Sequence, residues 1–274
     1  MAATRLEGME GVRRSGGTIM TDFTADAVPP TLRKPAAFRW RMRLSSEETA
    51  ILAAAAIVGL SAAFLLFPGV DLAVSGLFHR TRDGFYLSHD PMLRALRKSS
   101  TLVMSLMLLA AVGRWIWRLL RRRKADLAGR RALFVISGLA LGPGLVVNSL
   151  FKELWGRARP IDVRLFGGDD AFTAAWLPST ACQSNCSFIS GEGAGAAWMV
   201  AAALVLAPRR WRPVAGGLAL AYAISLSANR IVFGGHFPSD VLLSWAVTAL
   251  VLALLYRGLK VASAALRRRK LRVS

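Results

Sequence analysis

The sequence predicts an all-α protein, a bundle of six membrane-spanning helices. Two observations carry this. Of 274 residues 54% are hydrophobic, yet the formal net charge is +20. A soluble domain this apolar would expose too much apolar surface, whereas a membrane protein keeps apolar residues in spans and charges in loops. Second, the apolar residues gather in six runs, at roughly 51–67, 101–118, 132–150, 193–207, 213–228 and 241–256. Spanning takes about 20 residues, so several helices must extend into their flanks. A basic excess also fits nucleic-acid binding, but these charges cluster at the ends of apolar runs, not on one polar face. No nucleic acid is expected as a partner.

The first run lies too far from the N-terminus to be a signal peptide. Residues 1–48 hold Gly, Thr, Pro and scattered charge without a period, and are expected to form a disordered basic arm. Residues 49–257 hold the spans, and 258–274 form a basic tail. With six spans, Lys and Arg divide unequally: 26 lie in the arm, the 114–131 link, the Arg209–Arg212 link and the tail, against ten in 68–100, 151–192 and 229–240. Lys and Arg favour the cytoplasmic side. Both termini are therefore expected in the cytoplasm, and the ten-residue set outside.

Three groups in the outer set suggest chemistry. The first is Lys152-Glu-Leu-Trp-Gly-Arg157-Ala-Arg159-Pro160. If the third helix continues, Lys152 and Arg159 share a face about 10 Å apart along the axis before Pro160 ends it. Two such cations make a phosphate clamp, or alternatively snorkel to headgroups. The second is Ser190-Gly191-Glu192, leading into the fourth run. Free N–H groups at a helix start favour an anion, and Ser190 either caps the helix or donates to phosphate. Glu192 is either a first-turn acid or, if protonated, a general acid toward a leaving alkoxide. The third runs from Asn229-Arg230 through Gly234-Gly235 to His236-Phe-Pro-Ser-Asp240. The glycines allow a tight turn before His236, and Asp240 falls in the first turn of the next helix, where it can orient the imidazole.

Taken together, Lys152-x6-Arg159-Pro160, Ser190-Gly191-Glu192 and Arg230-x5-His236-x3-Asp240 resemble the tripartite signature of the type-2 phosphatidic acid phosphatase family, which includes vanadium haloperoxidases. The resemblance covers roughly residues 50–256. It implies a six-span helical bundle with the site on the outer face. It implies that His236 attacks phosphorus to form a phosphohistidine, that Asp240 orients it, and that Lys152, Arg159, Ser190, Gly191 and Arg230 hold the phosphate oxygens. It implies no metal and no cofactor, since side chains supply the cations. In the family the second motif reads Pro-Ser-Gly-His, and Glu192 stands where the second histidine, the general acid, is expected. Asn229 replaces a serine.

These departures, with Asn185-Cys186-Ser187-Phe188-Ile189 before Ser190, resemble the lipid A phosphatases of alpha-proteobacteria, those acting on the 4'-phosphate above all. The implied partners are a phosphorylated membrane lipid and the bilayer, and the implied location is the bacterial inner membrane with the site facing the periplasm. Phosphatases of undecaprenyl pyrophosphate, phosphatidylglycerophosphate or phosphatidate, a lipid phosphotransferase, and a non-catalytic membrane protein remain alternatives.

Cys182 and Cys186 lie in the outer set. In the oxidising periplasm a disulfide is expected, with two free thiols as the alternative. Two cysteines with no matching histidine pair do not suggest zinc. If the substrate is lipid A, as the resemblance implies, His79, Arg80, Arg82, Arg94, Arg97 and Lys98 in the 68–100 loop either bind its second phosphate or its glucosamines, or anchor the chain at the interface.

Overall fold

The computed structural model describes residues 45–121 and 127–273. Most of the expected arm therefore lies outside the described residues. Among those described there is no β-strand, only two isolated bridges. The long helices are α1 (Ser46–Leu66), α3 (Pro91–Leu120), α4 (Leu127–Leu139), α6 (Gly191–Leu206), α7 (Arg212–Val232) and α8 (Pro238–Val273). A short α2 (Gly69–Gly76) follows α1. Beyond α4 the chain winds as a π-helix over Ala140–Phe151, with Pro143 inside it, and closes with one turn, α5 (Lys152–Leu154).

Local signals set the helix starts. Ser45 and Glu48 form a reciprocal capping box on α1. Asp90 caps α3, accepting from Leu93 N at 2.8 Å, and Pro91 occupies the first turn. This carries the second helix ten residues ahead of its apolar run.

Five described helices are long and apolar enough to cross a membrane: Ser46–Leu66, Pro91–Leu120, Gly129–Leu154, Arg209–Val232 and Pro238–Ala265. The fourth apolar run, at 193–207, becomes α6, 16 residues long. At 1.5 Å per residue that is about 24 Å, short of a bilayer core. It lies inside the bundle: Ala194, Ala196, Trp198, Met199 and Ala202 are all buried. α6 packs on α4, α7 and α8, so it is lined by protein rather than lipid. Its small side chains let neighbouring helices approach closely. Trp198 completes the core by donating Nε1–H to the Val135 carbonyl at 2.9 Å. Large apolar residues face outward on the peripheral helices, among them Val58 and Leu66 on α1, Leu102 and Leu109 on α3, and Leu218 on α7.

α1 runs along α8, and Glu47 pairs with Arg257 at 3.9 Å. Arg257 lies 19 residues along α8 from Pro238, about 28 Å at helical rise. The start of α1 and the late part of α8 are thus at the end opposite His236. The 258–273 segment, expected as a tail, continues α8.

At the His236 end, the long connection between α5 and α6 folds over the bundle. Phe151, Trp155, Trp176 and Phe188 pack ring against ring with centroids 5.0–5.7 Å apart. Trp176 also donates to Ser61 on α1 at 2.6 Å, tying the connection to the bundle.

Candidate active site

The third helix does not continue to Arg159. It ends at Leu154, and Gly156 turns the chain away at φ 60°. A side chain at 156 would collide with the Ser179 carbonyl. The helical-face explanation for Lys152 and Arg159 is therefore corrected, although the two residues still meet. Asn185 joins them: its Oδ1 accepts from Lys152 Nζ at 2.8 Å, and its backbone carbonyl accepts from Arg159 Nη2 at 2.6 Å. Asn185 adopts φ 50° and lies inside the loop closed by the Cys182–Cys186 disulfide.

Lys152 also approaches the start of α6. A Cβ at Gly191 would overlap Asn148 Oδ1 and lie 3.3 Å from Lys152 Nζ. Glycine at 191 is what lets the lysine reach the helix terminus. Ser190 is buried, and its Oγ caps α6 by accepting from Gly193 N at 3.0 Å. The hydroxyl hydrogen is left for another acceptor.

α7 brings Arg230 to the same place. The Arg230 carbonyl accepts from Gly235 N and His236 N, closing the turn that carries His236, with Gly234 at φ 64°. His236 is 1% exposed. Its Nδ1 lies 2.8 Å from the Ser187 carbonyl. A carbonyl only accepts, so Nδ1 carries the proton and Nε2 keeps a free lone pair. Burial, more than any other cause, pushes the His236 pKa down to about 4, and the nearby Arg230 and Arg159 add to the shift.

Asp240 does not bond the imidazole directly, since its Oδ2 is 3.9 Å from Nδ1. It acts through the backbone. Oδ2 accepts from Ser187 Oγ at 2.5 Å and from Phe237 N at 2.8 Å. It thereby holds both the residue whose carbonyl accepts from the imidazole N–H and the residue after His236. Its own carbonyl accepts from Ser190 N at 3.1 Å.

Behind Asp240 lies a buried ion network. Arg157 is fully buried. Its Nη1 donates to Asp240 Oδ1 at 2.5 Å and to Ser239 Oγ at 2.9 Å, its Nη2 to Asp71 Oδ2 at 2.8 Å, and its Nε to the Thr173 carbonyl at 2.9 Å. The guanidinium stacks over Phe237, 4.4 Å from the ring centroid. Asp71 accepts from Ser239 N and Oγ as well. Burial pushes the Asp71 carboxyl up, Arg157 pulls it down, and Asp240 raises it again. Arg157, Asp71, Ser187 and Asn185 received no role from the sequence. The one available signal was Asp71, a lone acid in an otherwise apolar stretch.

Glu192 lies between two guanidinium groups. Its Oε1 accepts from Arg97 Nε at 3.1 Å, and its Oε2 contacts Arg230 Nε. Arg97 comes from α3, far from the three motifs in sequence.

Residues 131–263 match the model of the PAP2 superfamily. The lipid A 4'-phosphatase of Francisella tularensis subsp. novicida (strain U112) is 34% identical over 207 residues, covering 71% of this chain and 90% of the relative. The lipid A 4'-phosphatase of Rhizobium leguminosarum is 35% identical over 214 residues, covering 72% and 90%. That of Rhizobium etli (strain ATCC 51251 / DSM 11541 / JCM 21823 / NBRC 15573 / CFN 42) is 34% identical over 214 residues, covering 72% and 81%. This chain belongs to the PAP2 superfamily. No solved structure matches it. It is a bacterial membrane phosphatase, a phosphoric monoester hydrolase on a helical bundle. The PAP2 match contains all eight residues singled out for catalysis or phosphate binding, from Lys152 to Asp240, but neither Asp71 nor Arg97.

Two outcomes are expected. Asp71→Ala leaves Arg157 with one carboxylate in a buried site and destabilises the purified protein by about 3–5 kcal/mol, read from thermal or denaturant unfolding. The second concerns pH. An unfolded imidazole titrates near 6.5 and the native one near 4. The contribution of neutral His236 to stability is therefore complete above 6.5 and declines as pH falls toward 4. Activity follows the native value: kcat/KM, corrected for substrate ionisation, keeps its His236-dependent acid limb near pH 4, not 6.5.

Proposed function

We propose that this chain removes the 4'-phosphate of lipid A on the periplasmic face of the bacterial inner membrane, using His236 as nucleophile. The observation that carries the chemistry is the Nδ1–H to Ser187 carbonyl bond at 2.8 Å. It leaves Nε2 unprotonated on a ring that feels the charges of Arg230 and Arg159. Support for the substrate comes from the relatives' names, and support for the orientation from the uneven distribution of Lys and Arg.

In this reading Lys152, Arg159 and Arg230, with the Gly191 N–H and the Ser190 hydroxyl, hold the three equatorial oxygens of the transferring phosphoryl group. The Nε2 lone pair attacks phosphorus, and the bond from phosphorus to the sugar oxygen breaks. Its electron pair leaves with that oxygen, which takes a proton from water. A second water then attacks the phosphohistidine, inorganic phosphate departs, and the P–N electron pair returns to Nε2. Asp240 is a positioning residue, acting through Ser187 and Phe237.

Glu192 takes a different part from the expected general acid. Both its oxygens face guanidinium groups, and an oxygen that accepts from a guanidinium has no proton to give. Its role here is to hold Arg230 and Arg97 in place.

The substrate is tested by mass spectrometry of lipid A from a host expressing the chain. Loss of a single phosphate, from the 4' position, is expected. His236→Ala should abolish that loss and lower turnover at least about a thousandfold with normal expression. Release from undecaprenyl pyrophosphate with lipid A untouched would reject the substrate assignment. Glu192→Gln separates the two roles: an amide oxygen still accepts from a guanidinium, so activity should stay within about tenfold of wild type. A general acid would instead show a loss of about 10²–10⁴.

A further inference from the structure

The phosphate site opens into a cavity of about 600 Å³. That is room for a headgroup, far more than one phosphate occupies. Its charged lining is Arg159 and Arg230 from the phosphate site, Glu192, and Arg94, Arg97 and Lys98 from α3. The last three are spaced i, i+3, i+4, so one helical face presents them together.

Their contacts differ. Arg94 is oriented by bonds to the Ser88 carbonyl at 2.7 Å and to His89 Nδ1 at 3.2 Å, neither of which neutralises it. Arg97 shares the Glu192 carboxylate with Arg230. Lys98 has no ion pair among the described residues. Five cations thus face one carboxylate. A bound phosphate monoester brings at most two further negative charges, so one phosphate leaves the α3 side of the cavity under-neutralised. Two other basic groups of the 68–100 loop are engaged elsewhere: Arg80 stacks on Tyr86, and His79 packs against Phe85 and Phe166.

We infer that Arg94, Arg97 and Lys98 form a second anion subsite, which takes another phosphate on the same lipid headgroup while Arg230, Arg159 and Lys152 hold the one being hydrolysed. Glu192 is the partition between the two halves, with one oxygen toward each. The subsite rests on the lipid phosphatase reading above and adds to it a preference for headgroups carrying two phosphates.

The test compares two lipids in the same detergent micelles: a glucosamine lipid with two phosphates, and the same lipid lacking the phosphate that is not hydrolysed. Wild type should favour the first, chiefly through KM. Lys98→Ala should raise KM for the two-phosphate lipid about 5- to 10-fold, as loss of a charged contact does. Lys98→Glu should raise it further. Both should leave turnover of the one-phosphate lipid unchanged, which also shows that the variants are folded. Arg94→Ala should follow the same pattern. Equal loss on both lipids, or none on either, would overturn the subsite while leaving the phosphatase reading intact. No hydrolysis of either lipid by wild type would overturn the functional reading and the subsite with it.

Discussion

The site depends on one buried cation. Arg157 is removed from water and holds two carboxylates, Asp71 from α2 and Asp240 from α8. Burying such charges is costly, and the arrangement persists only because its donors and acceptors are matched by Ser239, Thr173 and the Phe237 face. The network stands one layer behind the chemistry. It fixes the carboxylate that fixes Ser187 and Phe237, and these fix the imidazole. Three chain segments distant in sequence, around 71, 157 and 240, are locked into one geometry. The His236 imidazole is thereby oriented by a backbone group, which cannot rotate away as a side chain can.

The same logic governs the cations. Lys152 and Arg159 are not neighbours on a helix; the two oxygens of Asn185 bring them together. Arg230 and Arg97 converge on Glu192. Each like-charged pair therefore has an acceptor between its members. Without one, the repulsion of like charges in a partly dehydrated site would splay the side chains apart before any substrate arrived.

Much of this was legible in the sequence, for physical reasons. Long apolar runs declare spans because a bilayer requires them, and the motif residues declare themselves because only ten of the 36 Lys and Arg fall in 68–100, 151–192 and 229–240, and the whole chain has three histidines. What stayed hidden has no period. The Ser187 carbonyl is a backbone group that any residue supplies. Arg97 and Asp71 reach the site from 95 and 86 positions away from their partners, distances that carry no sequence signal. The spacing of Lys152 and Arg159 pointed to the right pair through the wrong geometry, because a helix-breaking turn at Gly156 intervenes. The fourth run was recognisable as a helix, but its shortness makes sense only once the surrounding helices are seen to pack around it.

The Cys182–Cys186 bridge closes the loop that carries Asn185, and Asn185 holds Lys152 and Arg159. On the proposed orientation, this loop meets an oxidising environment only after it has crossed the membrane. The stapled support of the cation pair is therefore complete only once that loop has been translocated. Maturation of the enzyme is then a matter of timing as well as folding: the cross-link records that the loop has arrived, and the cation pair receives its stapled support where the substrate is found.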